Sequence, residues 1–465
     1  MLQAKAIEKQ DVAAIIAAYL ANLRYEDIPQ VAIDAAKKCI LDTLGVIAGA
    51  SGTVPGCREL AELILDAGGR PESTIIGFGG KVPAWMAAFA NGGMGHGLDY
   101  DDIHALVVVH PSACVVPAAF ATAERIGNVN GRDFITAVAA GIDITCRMGL
   151  SIDWKEDWHL SPVLGAFGCA AAAGKLMELD EARLVDALGI ALCQAACTME
   201  LNVGLGSNLR GAYPGFAAKG GVLSACMAQK GIAGPKNSLE GKAGLYAVYF
   251  RGEYRREAIL SELGKRFEGA NLRFKPWPAC TIIQSYIDAT LGLVNDHDIH
   301  PEDVEKVTAF IGDFGQPLCE PLPGRQKPAT TLDAKFSIPF TVAAAIARRN
   351  VIIADYTVEG LKNPVTLGLA QKVIPVFRED LKKSGDIYPA EIEIKTKKGT
   401  FRKRVDIPYG HPQRPMTRAA ISEKFKDCVS YSAKPLPEKH IRKVVEQVSG
   451  LQDVSNVSEI MALMC

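Results

Sequence analysis

The chain lacks most of the signatures by which a sequence announces its chemistry. Its 465 residues include twelve cysteines, yet no two of them stand as CxxC. Zinc ribbons and iron–sulfur sites need such paired thiolates, so these cysteines read as buried, reduced thiols. Glycine-rich stretches occur at 77–80 (GFGG) and 204–211 (GLGSNLRG). Neither is a GxGxxG after a strand or a GxxxxGK[ST], so neither marks a nucleotide site. HExxH and a GxSxG elbow are both missing. Charge of one sign is missing as well: 51 Lys plus Arg face 52 Asp plus Glu. That balance gives no electrostatic footprint for nucleic acid or an anionic membrane. The best candidate for a membrane span, Ala105 to Ala123, contains His110, Pro111, Ser112 and Pro117, which favours a buried helix or loop. The opening MLQAKAIEKQDVAAII has no basic n-region, long apolar run or small-residue cleavage site, so a cytoplasmic location is expected.

What is present is a large apolar chain. Hydrophobic residues make up 48% and charged residues 22%, as in soluble globular proteins. The length exceeds one ordinary core, which predicts two domains or one large discontinuous one. Most of residues 1–264 reads as helix. Asp11 is placed to cap a segment with Val12, Ile15, Ile16 and Tyr19 on one face. Pro29 marks a helix start, followed at helical spacing by Val31, Ala35, Cys39 and Ile40. Val163 to Met177 and Leu184 to Glu200 are alanine-rich and nearly uncharged, as helices in the centre of a bundle are. Beyond residue 264 the pattern changes. Val304 to Ile311 reads as a strand, Ala334 to Arg348 as a helix, and Ala390 to Lys395, a KKG turn and Phe401 to Ile407 as a hairpin. Residues 265–410 therefore read as a smaller α+β domain. HPQRP at 411–415 reads as a crossover to a helical C-terminal segment, 411–465, which rejoins the first.

One stretch stands out. GHGLDYDDIHALVVVHP, residues 95–111, holds three histidines and three aspartates between small apolar neighbours. Burying Asp99, Asp101 and Asp102 near one another is costly, because like charges repel and each must be desolvated. Helix capping by one or two of them is the plain explanation; a site is the other. A metal site would use His and Asp ligands, but the spacing matches no helical zinc motif. A proton-transfer site suits the composition better, since a carboxylate can orient an imidazole or raise its pKa.

Other candidates lie further on. His159, in DWHLSP, stands before an alanine-rich helix whose N-terminus favours anions. Arg210, in a glycine-flanked loop, has the fork that grips a carboxylate, unless it is a solvated loop arginine. Lys275, in RFKPWPAC, sits in a proline-stiffened apolar loop, unless it is a surface lysine.

These pieces, in this order, resemble the MmgE/PrpD family, which includes dehydratases, decarboxylases and an epimerase of carboxylic acids. The resemblance rests on His96, Asp99, Tyr100, Asp101 and Asp102 followed by His110-Pro111-Ser112, and on His159 before SPVLGAFGCAAAAGKL. It continues through RGAYPGFAA (210–218), KPWPAC (275–280) and AKFSIPF (334–340), and so spans essentially the whole chain. It implies a mainly α fold: a large helical domain from N- and C-terminal segments, with an α+β lid domain inserted. It also implies a homodimer, no cofactor, no metal, and proton transfer at a carbon next to a carboxylate of a small di- or tricarboxylate. Dehydration or decarboxylation is the leading expectation and epimerisation the second. A carboxylate-binding protein without turnover is the reading from another class. The resemblance makes Asp99, His110, His159 and Lys275 catalytic candidates. Arg210, Lys275, Ile103 and Phe340 become substrate-binding candidates, supported by His96, Asp102 and Tyr213. The chain departs from the family pattern at Ile103 (for Thr), Arg210 (for Lys), Tyr213 (for His) and Phe340 (for Tyr). The apolar run 105–109 suggests a substrate with a less polar flank.

Overall fold

The computed structural model describes residues 10–203 and 207–465. Residues 204–206, which begin the second glycine-rich stretch, and most of the N-terminal segment examined for a targeting signal lie outside the described residues. The fold is mainly α and divides into two compact units. The first runs up to Gly97, from Asp101 to Leu272 and from Arg418 to Cys465; the second comprises Leu98–Tyr100 and Arg273–Thr417.

The first unit is a helical bundle. Its principal helices are α1 (Val12–Asn22), α2 (Gln30–Thr53), α3 (Cys57–Ala67), α4 (Ala84–Met94), α5 (Pro111–Ile126), α6 (Gly131–Leu150), α7 (Leu160–Leu176), α8 (Glu181–Ala191) and α9 (Tyr213–Gln229). Asp11 caps α1, accepting a 2.8 Å bond from the Ala13 N–H. The buried face is Val12, Ala13, Ile16, Ala17 and Leu20, so Ile15 and Tyr19 stand at its edge and are not central to it. Helix α2 starts after Pro29 as expected, but Val31 points to solvent. Helix α7 is buried on every side except at Lys175. Small residues make that possible. A Cβ on Gly168 would lie 2.0 Å from Thr145 Oγ1 and 2.6 Å from the Gly141 carbonyl, so α6 and α7 touch backbone to backbone.

The helix expected over Leu184 to Glu200 stops at Ala191. Residues beyond it pair instead with the strand-like stretch before α7: Trp158 bridges Thr198, and the His159 and Met199 N–H groups donate to Cys197 and Asp157 carbonyls. Backbone groups engaged sideways cannot continue a helix. GFGG is a tight turn between two short paired segments, Ser73–Thr74 and Lys81–Val82, with Gly77, Gly79 and Gly80 all at positive φ. The twelve cysteines are free thiols. Among the described residues, no helix is long and apolar enough to cross a membrane.

The second unit is a four-stranded sheet with helices. Its strands are β1 (Val304–Ile311), β2 (Val373–Phe377), β3 (Ala390–Thr396) and β4 (Gly399–Val405), in the order β2-β1-β3-β4. β1 runs parallel to β2 and antiparallel to β3, and β3–β4 is a hairpin that turns at Lys397 and Lys398. Helix α10 (Gln284–Asp296) and helix α11 (Ile338–Arg348) complete its core with Tyr286, Ile287, Phe340, Ala343 and Ile346. The single helix expected over Ala334 to Arg348 is broken. Pro339 has no N–H with which to continue the earlier helix, and Ser337 Oγ accepts the Phe340 N–H at 3.0 Å, capping a new helix there. His411, in HPQRP, is buried in this unit with Nε2 3.0 Å from Asp386 Oδ2.

Candidate active site

Three helices of the first unit begin at ring-bearing residues. His110 is the N-cap of α5, His159 is the N-cap of α7, and Tyr213 opens α9. Pro111 and Pro214 sit where a helix needs no N–H. The helix starts are tied together, because the His110 N–H donates to Ser161 Oγ at 3.0 Å. His96 joins them just beyond the end of α4. A Cβ on Gly95 would meet the Ala113 carbonyl at 2.9 Å, so only glycine lets this segment pass α5 so closely. Ring centroids lie 4.4 Å apart for His96 and His110, 4.9 Å for His96 and Tyr213, and 4.1 Å for His159 and Tyr213. The positive ends of three helix dipoles thus converge on one buried cluster, an environment that favours anions.

Asp101, fully buried, anchors the cluster. Its Oδ1 is 2.8 Å from His96 Nδ1, and its Oδ2 is 2.9 Å from His110 Nδ1. The His110 Nδ1 also lies 2.9 Å from the Asp102 carbonyl. Asp101 meets both imidazoles, through charge first and hydrogen bonding second. Burial pushes the Asp101 carboxyl up, but the two imidazoles outweigh it and hold it well below the usual carboxylate range. Asp102 is the opposite case. Neither of its buried oxygens finds a hydrogen bond of normal geometry among the described residues. Burial, opposed by the Ser112 hydroxyl and reinforced by Asp42 and Asp101, pushes its carboxyl up to about 8. Asp102 is thus a neutral acid at pH 7.

His159 is the other extreme of the cluster. Burial, then the nearby charges of His96, His110 and Arg210, push its imidazole down to about 3. Its Nδ1 has no partner among the described residues. It is therefore a neutral imidazole across the physiological range, able to accept a proton but not stocked with one. Arg210, half-buried in the turn before α9, is near enough for its charge to contribute to that shift. Ile103 is buried, and the apolar run after it folds into a turn closed by the His104 N–H on the Val109 carbonyl. Val107 and Val109 of that run face Gly149 of α6.

In the second unit Lys275 is almost wholly buried. Its ammonium contacts the Asp99 carboxylate and lies 3.0 Å from the Asp99 carbonyl. Asp99 is held in the left-handed region at φ 52°, and the Tyr100 hydroxyl donates to the Pro276 carbonyl at 2.8 Å. Phe340 is buried with its ring 6.3 Å from that of Tyr356, whose hydroxyl is 3.1 Å from Thr341 Oγ1. Burial holds that phenol far above its ordinary value against the Thr341 hydrogen bond, and the charges of Asp355 and then Asp99 add to the effect. A buried hydroxyl therefore stands near the position where Phe340 has none.

The structure brings His96, His110, His159, Tyr213 and Arg210 together in one unit, and Asp99 and Lys275 together in the other. Two residues escaped the sequence reading. Asp101 was visible in the DYDD run, but nothing in the spacing says which aspartate faces inward. Tyr356 lies outside every motif and carries no sequence signal. The donor atoms of His96, Asp101 and His110 lie within 4.8 Å of one another, the grouping a divalent metal would need. Both Nδ1 atoms already face the carboxylate, so a cation would have to displace those contacts.

The chain matches the MmgE/PrpD N-terminal domain over residues 14–257 and the MmgE/PrpD C-terminal domain over 277–449. It is 25% identical to a cis-aconitate decarboxylase of Aspergillus terreus, over 97% of this chain and 96% of that protein. It is 27% identical to the cis-aconitate decarboxylase of Homo sapiens, over 93% of this chain and 90% of that protein. With both domain models matched in order along nearly its full length, the chain belongs to the MmgE/PrpD family.

Proposed function

We propose that the protein is a lyase, a decarboxylase or dehydratase, that acts on a small di- or tricarboxylate by proton transfer at a carbon next to a carboxylate. The observation that carries this reading is the convergence of three helix N-termini on His96, His110, His159 and Tyr213. Such a place attracts carboxylates and holds basic imidazoles against them. Removing or restoring a proton beside a carboxylate builds charge on its oxygens, and fixed dipoles and cations lower the cost of that charge. In this reading Arg210 holds a carboxylate, and so does Lys275, whose ammonium Asp99 orients. His110 and His159 exchange the proton, with Asp99 as a further acid–base group. Ile103 and Phe340 shape the substrate side, and Asp102, His96 and Tyr213 support it. The chemistry asks for no cofactor or metal. The α+β unit serves as a lid domain, and the protein is a cytoplasmic homodimer. The relatives make cis-aconitate the first compound to offer.

The test is proton NMR in D₂O with cis-aconitate and a panel of hydroxy- and unsaturated carboxylates. Loss of CO₂, or gain of a vinylic signal with loss of water, supports the reading. Deuterium entering one α-carbon with no net loss would make the enzyme an epimerase. His110→Ala should lower turnover by about 10²–10⁴-fold, the usual worth of a positioned base. Tight binding with no turnover of any acid would sink the lyase reading in favour of a binding protein.

A further inference from the structure

We propose that His104 is a positioning residue: gripped by Glu268, it fixes the backbone of residues 102–104, and with it the carbonyl that holds the His110 ring. Both partners belong to the first unit, both are buried, and neither takes part in the proton transfer proposed for the cluster. His104 Nε2 lies 3.4 Å from Glu268 Oε2, while its Nδ1 finds no partner among the described residues. At 3.4 Å the bond is long; the burial of both partners gives it weight. Glu268 itself is held from several sides. Its Oε2 accepts the Asn271 side chain at 2.8 Å, its Oε1 is 3.1 Å from Arg266 Nη2, and its backbone N–H donates to Asp143 Oδ1 at 2.7 Å. Asp143 is paired in turn with Arg147 of α6 at 2.7 Å. The His104 bond, then Asn271 and Arg266, hold the Glu268 carboxyl down to about 2 against its burial. A carboxylate that keeps its charge can only accept, so it meets an Nε2–H whether the ring is neutral or charged. The turn from His104 to Val109 is otherwise closed by the His104 N–H on the Val109 carbonyl and by the packing of Val107 and Val109 on Gly149. Two residues before His104, the Asp102 carbonyl lies 2.9 Å from His110 Nδ1. The grip on His104 thus reaches His110 twice, through that carbonyl and through the turn that leads into it. Moving a reacting group by about 1 Å can cost ~10²-fold in rate. The kinetic arm of the proposal rests on the lyase reading; the clamp does not.

Glutamine carries a side-chain N–H where imidazole carries Nε2, so His104→Gln keeps the bond and His104→Leu removes it. Hydrogen–deuterium exchange of peptides covering residues 103–110, read by mass spectrometry, reports on the turn. Two-bond ¹⁵N–¹H spectra of histidine-labelled protein report the His104 ring, assigned as the signal lost in His104→Gln. The parent should carry a proton on His104 Nε2. In His104→Leu the turn should exchange about tenfold faster, and His104→Gln should restore most of the protection. On a turned-over acid, kcat should fall by about 10–10²-fold in His104→Leu, with KM changed little, and recover in His104→Gln. Parent spectra with Nε2 unprotonated overturn the proposal even if His104→Leu fails to fold. So do exchange and kcat both within about twofold of the parent in a folded His104→Leu. A faster-exchanging turn with unchanged kcat, or a loss that His104→Gln does not recover, would reduce the pair to a structural contact and refute the positioning role. The expected tautomer and exchange with no acid turned over would refute the lyase reading and leave the clamp standing.

Discussion

A neutral His159 is the sharpest consequence of the buried cluster. An ordinary histidine titrates near pH 6.5, whereas this one is pushed down to about 3 by burial and by His96, His110 and Arg210. The folded protein therefore binds fewer protons at this site than the unfolded chain whenever the pH lies between those two values. Stability is full above about pH 6.5 and falls as the pH drops through the window. At about pH 5 the unfolded imidazole is almost fully protonated and the folded one is not. The difference is about 2 kcal/mol relative to pH 8, from 1.36 kcal/mol per pH unit. The side chain is buried, so solvent screening does not reduce that figure much. The direct assay is a ¹³Cε1 NMR titration; the chain has eight histidines, and the His159 signal is the one lost in His159→Gln. That signal should stay at its neutral position from about pH 8 down to about pH 5. The same substitution should reduce the loss of stability over that range by about 2 kcal/mol. A titration midpoint near 6 would refute the reasoning and would return His159 to the list of groups able to donate a proton at neutral pH.

Three further predictions follow from single contacts. Asp102→Asn imitates the neutral acid that burial enforces. The folded pKa is raised to about 8, so the parent loses stability as the pH rises from about 4 to 8; the melting-temperature advantage of the variant should grow over the same range and level off above it. Lys275→Met leaves the Asp99 carboxylate buried without its cation and should cost about 3–5 kcal/mol in denaturant unfolding. The double variant with Asp99→Asn should recover most of that loss; no recovery would mean the pair is not coupled. Gly168→Ala forces a methyl group to within 2.0 Å of Thr145 Oγ1, and α6 and α7 must separate. A lowered melting temperature, equivalent to about 1–3 kcal/mol or more, is expected, and an unchanged melt would show that the two helices are not in backbone contact.

Local pattern determined a good deal here. The Asp11 cap, the start of α2 at Pro29, strand β1 and the β3–β4 hairpin are set by neighbours within a few residues, through capping, proline geometry and side-chain alternation. The ordered motifs carried the family, because each holds a chemistry-bearing residue type beside glycine or proline in a set order. Tertiary structure decided the rest. Helix α8 ends at Ala191 because residues 197–199 are claimed sideways by the stretch around His159, a pairing no local rule contains. Asp99, Asp101 and Asp102 look alike in sequence, yet one is salt-bridged to Lys275, one is held ionised by two imidazoles and one is a neutral acid. The difference is physical: a carboxylate takes its charge state from what surrounds it in three dimensions, and those surroundings are distant in sequence, Asp42 for Asp102 and, 176 residues away, Lys275 for Asp99.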